Sequence, residues 1–208
     1  MMTRAVNGLT SLQDNFLHCV DLTDPSRLRC LLRKSMEIFD DFLFNGSLLR
    51  EREGSLVRLL VDPLDRGALG LTTTRMIHGL KLTEISIAPI VTAPDMSNEG
   101  KKRVLSRYLG TLCHEMVHAY FDTFCWSWTR SEMNCLGGTG HGICWQQVAG
   151  NIEDFWHNFI PQGLGIDMCL GRLEAWMHEL EHFTPEDTPD FQRKYSEEIN
   201  SELQRVYG

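Results

Sequence analysis

Thr111-Leu112-Cys113-His114-Glu115-Met116-Val117-His118-Ala119-Tyr120 carries no charge apart from its one glutamate. It closes a longer segment in which Leu105, Tyr108, Leu109, Leu112, Met116 and Tyr120 recur at helical spacing. The pattern predicts one long helix from about Asn98 to Phe121, with an apolar stripe facing a core and His114 and His118 on a different face. Upstream of it, three short β-prone runs, Leu56 to Val61, Ala68 to Thr74 and Thr83 to Ile87, are separated by Gly and Pro. In the last run Ile85 and Ile87 alternate with Glu84, Ser86 and Ala88, as in a half-buried strand. Further upstream, Asp24-Pro25 followed by Leu28, Leu31, Leu32, Met36, Phe39 and Phe42 reads as a capped helix ending near Phe44-Asn45-Gly46.

Downstream, a long connection from Asp122 to Gly142 carries cysteines and glycines, and its length marks it for function. Helices are expected at about Ile143 to Phe159, Met168 to Phe183 and Pro189 to Tyr207. The expected fold is α+β, a small antiparallel or mixed sheet of about three strands packed on several helices. Residues 1–22 lack periodicity and read as a loose leader, leaving residues 23–208 as one domain with a C-terminal helical extension.

The 208 residues are long enough to bury a substantial core, and the composition is 42% hydrophobic and 23% charged. A net charge of -8 argues against a broad phosphate-binding surface. The seven cysteines are odd in number and none forms a Cys-x-x-Cys pair, which disfavours a stapled secreted scaffold and a zinc ribbon alike. No run suggests a membrane span or a signal peptide, so a reducing intracellular compartment, nuclear or cytoplasmic, is the expectation.

Two histidines at i and i+4 share one helix face and can hold one metal ion. Glu115 follows the first of them, where a carboxylate can take a proton from a metal-bound water. The same five-residue pattern occurs again at His178-Glu179-Leu180-Glu181-His182. That copy holds a second glutamate and runs at once into Phe183, Thr184 and Pro185, so it reads as a solvent-facing helix end.

A catalytic zinc site needs a third protein ligand. After His118 the histidines are 141, 157, 178 and 182. His141 is favoured because Gly140 and Gly142 flank it, just before a new helix; His157 looks like an ordinary residue of an amphipathic helix. Cys125, Cys135 and Cys144 lie around this interval, and their irregular spacing favours free buried thiols over a second metal site.

These residues resemble the SprT-like zinc metalloprotease family, the zincin-like group that includes the Spartan-type DNA-protein crosslink proteases. The likeness runs from Phe39-Asp40-Asp41-Phe42-Leu43-Phe44-Asn45-Gly46-Ser47-Leu48 through Ala68-Leu69-Gly70-Leu71-Thr72 and Glu84-Ile85-Ser86-Ile87. It is strongest at His114 to Tyr120, Gly140-His141-Gly142 and Trp145, and spans roughly residues 28–158. The resemblance implies one catalytic Zn2+ held by His114, His118 and His141, Glu115 as the base, protein substrates and a nuclear location. It also implies an extended substrate lying along Thr83 to Ala88.

The interval from His118 to His141 is longer than in the best-known animal members, and no zinc ribbon or basic tail follows. With the negative charge, this predicts DNA association that is weak and salt-sensitive or indirect. Two other classes stay open, a zinc-held binding or scaffold module without turnover and a secreted zinc endopeptidase with disulfides.

Overall fold

The computed structural model describes residues 24–50, 55–90, 97–125 and 136–159, with residues 8, 10, 11, 166, 168, 172, 175–178 and 197 besides. Asp24 begins the first helix, α1 (Pro25–Leu43): its carboxylate accepts the Ser26 N–H at 2.9 Å, and Pro25 fills the first turn, where an N–H would lack a partner. Leu28, Leu31, Leu32, Met36 and Phe39 then form its buried stripe. The helix ends through Asn45 and Gly46, both at positive φ. Buried Asp40 fastens the chain that leaves it, accepting the Leu48 and Leu49 N–H groups at 2.8 and 2.9 Å.

Three strands follow: β1 (Ser55–Val61), β2 (Gly70–Ile77) and β3 (Leu80–Ile87). The sheet is mixed, in the order β1-β3-β2, with β1 parallel and β2 antiparallel to β3. β2 and β3 run past the expected Thr74 and begin before the expected Thr83, respectively, because His78 and Gly79 turn the chain at φ 51° and 81°. Two successive positive φ values match the twist of a tight hairpin. A histidine in the first of these places is weak turn chemistry, which is why the hairpin tip is hard to read from residue types.

β3 is the central strand, paired on both sides from Lys81 to Ile87. The stretch from Thr83 to Ala88 therefore cannot receive a further strand, and the expected substrate position there is corrected. Glu84 differs from its expected exposed place as well. It is buried on the sheet face away from Ile85, between Arg58, whose Nε donates at 2.6 Å, and Arg75. Two half-exposed guanidiniums compensate the buried carboxylate.

On the other face Thr83, Ile85 and Ile87 are wholly buried under α2 (Asn98–Phe124). Ser97 caps this helix by accepting the Gly100 N–H at 3.1 Å. α2 packs on β2 and β3 and also against α1 and α3 (Ile143–Phe159), which makes it the axis of the molecule. That explains why Cys113, Val117 and Ala119 are buried beside the expected stripe of Leu105, Tyr108, Leu109, Leu112 and Met116. Each such large apolar side chain contributes about 1.5–3 kcal/mol by leaving water. α1 and α3 meet through the Phe39–Trp156 and Phe42–Phe155 ring pairs.

The fold is thus the expected α+β arrangement of a three-stranded sheet on helices. Among the described residues no helix is long and apolar enough to cross a membrane. Of the expected leader, residues 8, 10 and 11 are described and are helical. Residues 172, 175–178 and 197 are helical too and residue 168 is not, while the rest of the two expected C-terminal helices and residues 126–135 of the 122–142 connection lie outside the described residues.

Candidate metal centre

His114 and His118 project from one face of α2, and their Nε2 atoms stand 3.3 Å apart. His141 reaches them from the turn before α3. That turn is closed by the Gly142 N–H donating to Leu136 O at 2.7 Å. Gly140, at φ 83°, lies so close that a side chain there would sit 3.5 Å from the His118 ring. His141 Nε2 comes to 3.1 Å from His114 Nε2 and 2.9 Å from His118 Nε2. Its other ring nitrogen, Nδ1, pairs with the Thr139 hydroxyl at 3.1 Å, so Nε2 is the atom turned inward.

Three ring nitrogens within 3.3 Å of one another suit a shared ion. Ligands held about 2.05 Å from a tetrahedral zinc stand ~3.3 Å apart, close to what is found here. Without a cation the arrangement is poor, because a neutral imidazole carries one N–H and a triangle of facing nitrogens cannot all be satisfied by one another. Burial and the neighbouring His141 push the His114 pKa down to about 3. Burial, then His114 and His141, hold His118 well below its ordinary value. Both rings are therefore neutral at pH 7, with lone pairs available to a metal.

Trp145 packs against all three rings, with centroids 4.5 Å from His114, 5.4 Å from His118 and 4.9 Å from His141. Wholly buried in the first turn of α3, it is the wall against which the cluster is assembled.

Glu115 turns to the sheet. Its carboxylate is buried, and the Thr72 hydroxyl of β2 lies 2.8 Å from Oε2 and 3.0 Å from the Glu115 carbonyl oxygen, donating its one proton between them. Burial raises the Glu115 pKa to about 7, against the lowering effect of the Thr72 bonds. Gly70 makes the room: a Cβ there would come within 2.6 Å of Glu115 Oε1 and 2.7 Å of Thr111 Cγ2. A second tie at the end of α2 joins Thr74 to Asp122 Oδ2 at 2.6 Å, and Lys81 donates to the Asp122 carbonyl.

No protein-family model, curated protein or solved structure matches this chain. The three-histidine cluster is therefore read from its own chemistry.

All three expected ligand residues meet, and Glu115 directly follows His114 on α2. His157 is exposed on α3 and takes no part in the cluster. His178 is exposed, as the second copy of the pattern led us to expect, while His182 lies outside the described residues. Cys113 and Cys125 are buried and Cys144 is half-buried, Cys135 lies outside the described residues, and among those described no cysteine joins the histidines. Gly70, Thr72 and Trp145 were visible only as parts of a resemblance. Gln146 and Arg172 carried no signal at all.

Proposed function

We propose that the chain is a zinc-dependent peptidase of the SprT-like kind. The observation that carries this reading is the convergence of three imidazoles, with His114 and His118 held neutral, on a helix that also carries the buried Glu115 carboxylate poised near pH 7. A zinc ion held by His114, His118 and His141 would acidify a water and polarise a carbonyl. Glu115 is the base: its carboxylate takes the proton of the attacking water and delivers it to the leaving nitrogen, and a pKa near 7 suits both transfers. Thr72 and Gly70 hold that carboxylate in place, and Trp145 keeps water from the back of the histidine cluster.

The substrate is a protein segment, taken extended along β2. Among the described residues this strand is at the edge of the sheet, and it carries Gly70 and Thr72 against Glu115. Edge strands recruit a peptide through their unpaired N–H and C=O groups. DNA-bound or crosslinked proteins fit the resemblance as substrates, with direct DNA contact weak at a net charge of -8.

The test is Glu115→Gln in purified protein loaded with zinc. Cleavage of an unfolded protein substrate should fall ~100- to 10,000-fold while stoichiometric zinc is kept. Equal cleavage by variant and wild type would remove Glu115 as the base. Zinc held without any cleavage in wild type would turn the reading into that of a scaffold module.

A further inference from the structure

His141 differs from the other two histidines in coming from a turn, and a turn needs support from outside itself. The first turn of α3 supplies it. The Gln146 N–H donates to Gly142 O at 3.0 Å, and the Gln146 side-chain amide donates to the His141 carbonyl at 3.3 Å. The same amide nitrogen also donates to Arg172 O at 3.2 Å, and Gln146 Oε1 accepts from Arg172 Nε at 3.2 Å. Both N–H groups and the oxygen of this buried amide are thus engaged, which fixes its orientation.

Arg172 is in turn fixed. It is buried, its backbone N–H donates to Met168 O at 2.7 Å, and its guanidinium pairs with Glu153 one helical turn beyond Ala149 on α3. Gly150 leaves space for that guanidinium, since a Cβ there would meet it at 3.3 Å. A guanidinium donating to an amide and a carboxylate at once uses its fork geometry, which an ammonium cannot copy.

We propose that Gln146 and Arg172 are positioning residues for the metal centre: Arg172, far beyond the last histidine of the cluster, orients Gln146, and Gln146 holds the His141 backbone so that Nε2 meets the pair on α2. Arg172 is on this account part of the support of the metal site, and whatever displaces it loosens the ion. This rests on the three-histidine site binding a metal.

The experiment uses the full chain, with zinc affinity read by competition with a chelating dye and the ligand field read from the visible bands of Co2+. Gln146→Glu can still accept from Arg172 but places an acceptor against the His141 carbonyl, and it should lower zinc affinity ~10- to 100-fold and shift the Co2+ bands. Arg172→Lys should do the same to a smaller degree, and Gly150→Ala, which crowds the guanidinium without touching His141, should follow in the same direction. A purely structural role would lower the melting temperature of the metal-free protein and leave the Co2+ bands where they are. Folded variants with wild-type zinc affinity and wild-type Co2+ bands overturn the inference. Failure of the wild type itself to bind zinc or Co2+ would instead remove the metal site on which it rests.

Discussion

The metal centre has two halves that are built in different ways. On α2, His114 and His118 are brought together by helical periodicity, on a helix packed against the sheet and two other helices. On the other side, His141 sits in a turn whose course is set by Gly140, the Trp145 ring and the Gln146 amide. A helix presets its ligands through the backbone. A turn has no such repeat, and its ligand must be placed by side chains from elsewhere, so the cost of ordering falls on Trp145, Gln146 and Arg172.

The largest effects should come from removing a ligand on either side. His118→Ala and His141→Ala should each lower zinc affinity by more than about 100-fold. The residual affinities should differ, because His141→Ala leaves an i, i+4 pair already aligned on α2, whereas His118→Ala leaves two histidines on separate elements. Isothermal titration should therefore find His141→Ala the tighter of the two. The opposite order would mean that the turn, not the helix, is the preset half.

The same contrast explains what could be read in advance. The long helix, its two histidines and Glu115 follow from spacing and from uncharged neighbours, which are local properties. The three strands were legible as β-prone runs, but the hairpin at His78-Gly79 was not, nor was the central place of β3, because strand order depends on contacts between distant segments. His141 could be favoured only from its flanking glycines. Gln146 and Arg172 look like ordinary helix residues, and 26 positions separate the partners of that bond, so nothing local marks them.

A smaller effect, on the helical side, comes from the seat of the base. Gly70→Ala would put a methyl group 2.6 Å from Glu115 Oε1 and 2.7 Å from Thr111 Cγ2, so the carboxylate or the strand must move. Overpacking of this sort costs about 1–3 kcal/mol of stability. A shift of the base by about 1 Å costs ~100-fold in turnover. Zinc content should be unchanged, because the atoms nearest to a Cβ at Gly70 belong to Glu115 and Thr111 and not to a histidine. Steady-state cleavage assays with zinc analysis of the same samples check this; a loss of zinc parallel to the loss of cleavage would show that the two halves are not separable.

The smallest expected effect is in the pH dependence of zinc binding, and it also tells the two kinds of group apart. His114, with a pKa of about 3, and His118, held well below its usual value, are already neutral in the metal-free fold, so they release no protons to the solvent when zinc binds between pH 6 and 8. Glu115 behaves in the opposite sense. Its pKa of about 7 means that it is largely protonated at pH 6 in the metal-free protein, and a nearby dication favours its ionised form. Zinc binding below pH 7 should therefore release about one proton, and affinity should fall ~10-fold per pH unit from pH 7 downward. Three histidines with ordinary pKa values near 6.5 would instead give a steeper fall, approaching three protons below pH 6. Glu115→Gln should remove the one proton that Glu115 contributes to the slope. A slope unchanged in Glu115→Gln would show that Glu115 is not the group that titrates with zinc binding.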